Sequence, residues 1–68
     1  MIDLIPFQYE DRMVRTICID GQTLVGHILS VDDDEESGFN EMGITLVTDY
    51  GRYIGIPQSE IERIDIIG

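Results

Sequence analysis

From Arg12 to Ile19 the chain reads Arg-Met-Val-Arg-Thr-Ile-Cys-Ile, a β-branched run in which Val14, Thr16 and Cys18 alternate with Met13, Arg15 and Ile17. This predicts a strand. Asp20-Gly21 then supplies the positive-φ dipeptide favoured in a tight hairpin, and Thr23 to Val31 continues as a second strand. The next segment, Asp32 to Glu41, is too charged and too poor in apolar residues to extend it, and reads as a loop. Gly43 to Thr48 predicts a third strand and Asp49-Tyr50-Gly51 a turn. Arg52 to Ile56 predicts a fourth strand, stopped by Pro57, which cannot donate to a ladder. Gln58-Ser59-Glu60 fits one tight turn before a fifth strand over Ile61 to Ile67. The expectation is an all-β fold, either a strongly bent five-stranded sheet or a small barrel. At the start, residues 1–11 predict an arm or a short helical turn. Asp3 would cap it, Pro6 would sit in its first turn, and Leu4, Ile5 and Phe7 would cover one open end of the sheet.

Composition supports the same class: twelve Ile, four Val and four Thr dominate, while Ala and Lys, both strong helix formers, are absent. With 68 residues, the chain forms a single domain spanning 1–68. Below about 70–80 residues a lone core supplies only roughly 3–5 kcal/mol, so copies of the chain or a partner become attractive sources of stability. The formal charge of -10 repels phosphate backbones and anionic lipid, and Arg12, Arg15, Arg52 and Arg63 are scattered, so neither nucleic acid nor a membrane is an expected partner. Cys18 is the only cysteine, which leaves no intrachain disulfide. The opening residues lack a basic leader and a small-residue cleavage site, and a cytoplasmic location is the expectation.

The segment Val14 to Asp32, with Gly26, Ile28 and the Val31-Asp32 pair, resembles the first motif of the Sm-like (LSm) small barrels. Tyr53-Ile54-Gly55-Ile56 followed by Ile61 and Ile64 resembles the second. The resemblance runs over Arg12 to Ile67, and an acidic central loop before Ile56-Pro57-x-Ser59-Glu60-Ile61-Glu62 resembles small Sm-like proteins of Firmicutes that have no established activity. It implies the barrel and a pairing of neighbours through the fourth and fifth strands, with Tyr53, Ile54, Ile56, Ile64 and Ile66 as the self-association edge. It also implies what an RNA-binding member would need: an Asn soon after the first motif's Asp, and an Arg-Gly pair opening the second motif's turn. Asn40 is out of register for the first, and Pro57 and Gln58 stand at the second. RNA binding by an oligomer is therefore the runner-up reading.

The acidic loop carries six of the fourteen acids. A calcium loop needs Gly at its sixth position and Glu at its twelfth. Beginning at Asp32 places Ser37 and Gly43 there, and beginning at Asp33 places Gly38 and Ile44, so both registers fail. No metal site is assigned; a divalent ion held by Asp32, Asp34, Glu36 and Glu41 remains an alternative. Preferred over it is a loop facing solvent or a basic protein partner, with Asp32, Asp33, Asp34, Glu35 and Glu36 as the charges and Phe39 and Met42 as apolar anchors. His27 has no companion ligand or base and reads as a surface strand histidine, while Cys18 reads as a small buried hydrophobe. No catalytic residue and no cofactor is expected. Large aliphatics on both faces of the first and last strands call for cover either by the N-terminal arm or by another protomer; the second is preferred, giving a homo-oligomer with a non-enzymatic assembly or protein-interaction role.

Overall fold

In β1 (Met13–Cys18), Val14, Thr16 and Cys18 are buried and Arg15 is exposed, the two-residue period of an extended chain. The computed structural model, which describes residues 1–8 and 11–68, adds β2 (Thr23–Asp32), β3 (Gly43–Val47), β4 (Tyr53–Pro57) and β5 (Ile61–Ile66). All five join one antiparallel sheet in the order β4-β3-β2-β1-β5. The all-β expectation is met, and the predicted strand limits agree to within a residue or so.

The sheet is open, and of the two expected forms it takes the strongly bent one. Each strand runs antiparallel to its neighbours, which leaves β4 and β5 pointing the same way at opposite ends of the sheet. Parallel strands need a long crossover connection to pair, and only the three-residue 3-10 turn Gln58–Glu60 joins these two.

Curvature replaces a second layer. Among the described residues the only other regular element is the 3-10 turn Ile5–Phe7, yet Ile56 on one edge strand and Ile64 on the other are 4% and 8% exposed. A flat sheet covered by two short turns would leave both wet, so the sheet must coil around its own inner face. Two irregularities bend it. The β2 to β3 register shifts between Ile28 and Ser30, which throws Leu29 outward. Two residues earlier, a Cβ on Gly26 would stand 2.9 Å from the Val47 carbonyl oxygen and 3.2 Å from the Leu46 Cβ, so only glycine lets β2 and β3 close here. A second shift, where Ile17 and Cys18 meet Arg63 and Ile61, inserts Glu62 and puts both Ile61 and Ile64 in the core. This explains the imperfect alternation of the last strand.

Both hairpins share one turn. The Gly21 N–H donates to the Cys18 carbonyl (2.9 Å) and the Cys18 N–H to the Gln22 carbonyl (2.8 Å); the Gly51 N–H donates to Thr48 and the Thr48 N–H to Arg52, both at 2.9 Å. Gly21 (φ 88°) and Gly51 (φ 76°) take the left-handed position of a three-residue loop. The expected two-residue Asp20-Gly21 turn is thus one residue wider, and Asp20 instead accepts the Gln22 N–H at 2.9 Å.

At the start of the chain, Asp3 accepts the Ile5 N–H at 3.0 Å and leads into the turn Ile5–Phe7. Leu4 is fully buried, with Ile2 and Phe7 packed beside the core. Ile5, expected to help cover the open end, is 55% exposed. The three-residue period aligns Leu4 with Phe7 and turns Ile5 away. Of the expected arm over residues 1–11, Tyr9 and Glu10 lie outside the described residues.

The core holds one polar side chain. Thr16 is fully buried, and its hydroxyl meets no hydrogen-bond partner among the described residues. Replacing it with isosteric valine removes that desolvation cost, and Thr16→Val should stabilise the fold by about 1–2 kcal/mol, raising the thermal midpoint by roughly 5 °C or more. An unchanged or lower midpoint in a melting curve would show that the hydroxyl is satisfied in solution.

Candidate functional site

The sheet order leaves two strands with one free side each, β4 and β5. Which peptide groups face outward follows from the ladders. The Thr48 N–H to Arg52 bond (2.9 Å) and the Gln58 N–H to Met42 bond (2.8 Å) bracket β4, so Ile54 and Ile56 bond inward to β3. Tyr53 and Gly55 then turn their peptide N–H and C=O outward. On β5, Ile67 donates to Met13 and Ile19 donates to Glu60, both at 2.9 Å, which sets Asp65 and Arg63 inward against Arg15 and Ile17. Ile64 and Ile66 therefore present their peptide groups outward.

Side chains on these edges divide by face. On β4, Ile56 is buried and Ile54 half-buried on the inner face, while Tyr53 is 70% exposed on the outer one. On β5, Ile64 is buried and Ile66, on the inner face at the rim, is 45% exposed. Of the expected edge set, the inner members Ile54, Ile56 and Ile64 thus serve the protein's own core, and Tyr53 and Ile66 are left uncovered. Strand β4 carries no charge, whereas on β5 Asp65 pairs with Arg15 (3.6 Å) and Arg63 (3.2 Å). Between β4 and the hairpin end of β1 and β2 opens a cleft of about 540 Å³ with Leu24, Ile54 and Ile56 in its wall and Asp20, Arg52 and Glu60 also lining it.

Cys18 also lines this cleft and is buried. Burial pushes its thiol above the ordinary cysteine range, and the carboxylates of Asp20 and Glu60 add to the effect. His27 lies exposed on β2, its Nε2 3.4 Å from the Asp11 carboxylate.

The acidic loop is folded down on the sheet rather than extended. Asp33 Oδ1 accepts the N–H groups of Glu35 (3.1 Å) and Glu36 (2.9 Å), and the Ser37 N–H closes a turn onto the Asp33 carbonyl. The Ser37 hydroxyl donates to the Glu41 carbonyl at 2.6 Å and accepts the Phe39 N–H at 3.1 Å. Phe39, expected as an anchor for a partner, lies over two glycines and stays 41% exposed. A Cβ on Gly43 would stand 3.2 Å from its ring, and one on Gly55 would stand 3.5 Å away. Met42 packs against the core. Both apolar residues of the loop thus touch their own sheet, the Phe39 ring covering side-chain-free strand positions with one part of its surface.

Glu41 adds a latch the sequence reading missed: its carboxylate accepts the Ser59 N–H at 2.6 Å and the Ser59 hydroxyl at 2.9 Å. Beside it, Gln58 Nε2 donates to the Ile2 carbonyl at 2.6 Å, so the turn before β5 holds both loop and arm. Asp32 faces the hydroxyls of Ser30 (3.3 Å) and Thr45 (3.4 Å). Among the described residues, no group of three or more His, Cys, Asp or Glu is placed to hold a metal ion. No helix of the described chain is long and apolar enough to cross a membrane.

Two outcomes test this geometry. Phe39→Ala should release the loop, and a Glu-specific protease should cut between residues 33 and 41 at least tenfold faster, the equivalent of about 1.4 kcal/mol in opening free energy; equal rates would show that the ring is no clamp. Iodoacetamide should alkylate Cys18 in the native protein at neutral pH far more slowly than in the urea-unfolded chain, with comparable rates arguing for an open, reactive thiol.

Comparison with protein families, with curated proteins and with solved structures returns no match for this chain.

Proposed function

We propose that the protein is a non-enzymatic assembly module of the Sm-like type that associates with copies of itself through β4 and β5. The observation carrying this reading is the pair of unpaired sheet edges, one of them free of charge from Tyr53 to Ile56. Exposed strands of that kind are normally blunted by charges, proline or a covering element. Proline enters β4 only at Pro57, its last residue. The small core supports the same reading, since pairing edges adds buried surface that 68 residues cannot supply alone.

RNA binding draws less support. The position at which the resemblance places an Arg-Gly pair is held by Pro57 and by Gln58, whose amide is spent on the Ile2 carbonyl. The net charge of -10 has the wrong sign for phosphate. A divalent ion held by Asp32, Asp34, Glu36 and Glu41 would compete with the hydrogen bonds already made by Asp32 and Glu41. A location in the cytoplasm suits a chain with one buried, unpaired thiol.

Multi-angle light scattering on the full chain at high micromolar concentration should give a mass above that of the monomer and a smaller mass on dilution. A strict monomer across that range would remove the self-association reading.

A further inference from the structure

Every residue from Arg52 to Ile56 lines the cleft beside β4. Each face of a strand shows only alternate residues, so a consecutive run can be reached together only from the strand's edge. The cleft therefore runs along the free side of β4, and the outward N–H and C=O groups of Tyr53 and Gly55 open into it. Its volume of about 540 Å³ falls within the roughly 300–1,000 Å³ of sites that hold ligands. A ligand that matches such an edge is an extended peptide, bound by main-chain hydrogen bonds and selected through its alternate side chains. We infer that β4 and this cleft receive an extended segment of another protein in which basic and apolar residues alternate, laid antiparallel to β4.

The alternation follows from the two faces of β4. In an antiparallel pair the residues opposed to Tyr53 and Gly55 exchange both peptide bonds with them and share their outer face. On that face the Phe39 ring stands 3.5 Å from the Cβ position of Gly55, and its loop, Asp32 to Glu41, holds six of the fourteen acids. Basic side chains suit these two positions. The exposed ring of Tyr53 offers one of them a cation–π contact. The residue between them opposes Ile54 on the inner face, where Leu24 also lines the cleft, and is apolar. Across from β4, Asp20 and Glu60 set two carboxylates against the cleft's one cation, Arg52. The formal charge of -10 draws a basic segment in from a distance. No strand of this chain alternates basic with apolar residues, so the segment belongs to a different protein. One copy suffices for this contact, which therefore goes beyond the self-association reading above.

Backbone methylation of a peptide tests this without altering the protein. The probe is an acetylated, amidated peptide of alternating lysine and valine, labelled with a fluorophore and titrated with the full chain by anisotropy. It should bind. Methylating its lysine N–H groups, which face β4, should weaken binding at least tenfold, whereas methylating its valine N–H groups, which face away, should change affinity by less than about twofold. A peptide with the same lysines and valines gathered into two blocks should also bind at least tenfold more weakly. Equal affinities across these peptides would show only the attraction of a polycation to an acidic chain, and the opposite order of the methylated pair would reverse the faces; either result overturns the inference, as does an absence of binding. Hydrogen exchange locates the contact: the Tyr53 and Gly55 amides should gain protection when the alternating peptide is added. Protection confined to residues 32–41 would assign the peptide to the acidic loop instead and overturn the β4 site.

Discussion

The bend of β2 around Gly26 governs the rest of the molecule. A five-stranded sheet with no covering layer can bury an inner face only by curling over itself, and curling brings the backbone of β3 against the inside of β2. At Gly26 a methyl group would collide with the Val47 carbonyl at 2.9 Å, so the absence of a side chain there is what permits Leu46, Ile28 and Ile44 to converge. The bulge that follows at Ile28 to Ser30 continues the turn and leaves Leu29 outside. From this curvature follows the placement of Ile56 and Ile64 in one core. The three-residue turn linking β4 and β5 prevents closure, so curvature and connection together leave two free edges.

Much of the scaffold was legible because it rests on local chemistry. β-Branched runs marked the strands, Pro57 and the Gly-containing turns marked their ends, and Gly26 stood out as a glycine inside an apolar strand. The misreadings were of two kinds. Asp20-Gly21 has the composition of a two-residue turn, but the backbone spends only Gly21 on a positive φ, and the loop length depends on register, which composition does not encode. The engagement of Phe39 and Glu41 is tertiary. Their partners, Gly43 with Gly55 and Ser59, are brought close only by the folded sheet. One signal did exist: Gly55 interrupts β4, and an aromatic residue stands in the adjoining loop, the combination in which a ring fills the hollow over a strand glycine. The candidate edge was legible as a set of residues, but its division into core members and uncovered members was not. That division follows from the face each side chain takes and, for Ile66, from its place at the rim of the sheet.

Charge and edge chemistry act at different ranges. Each copy carries -10, with six of its fourteen acids in the loop that Phe39 and the Glu41 to Ser59 latch hold against the outer side of β3 and β4. At physiological ionic strength repulsion between copies fades beyond about 8–10 Å, whereas peptide hydrogen bonds and the contact of a tyrosine with an isoleucine act only at touching distance. Approaches that bring loop toward loop are therefore opposed early, and an approach that sets the uncharged β4 against the Arg63 and Asp65 strand meets a locally balanced surface. A free edge on a neutral protein would pair with any strand offered to it. Fixing the acids beside one edge, at the outer face, restricts the orientations in which an unblunted strand can be approached.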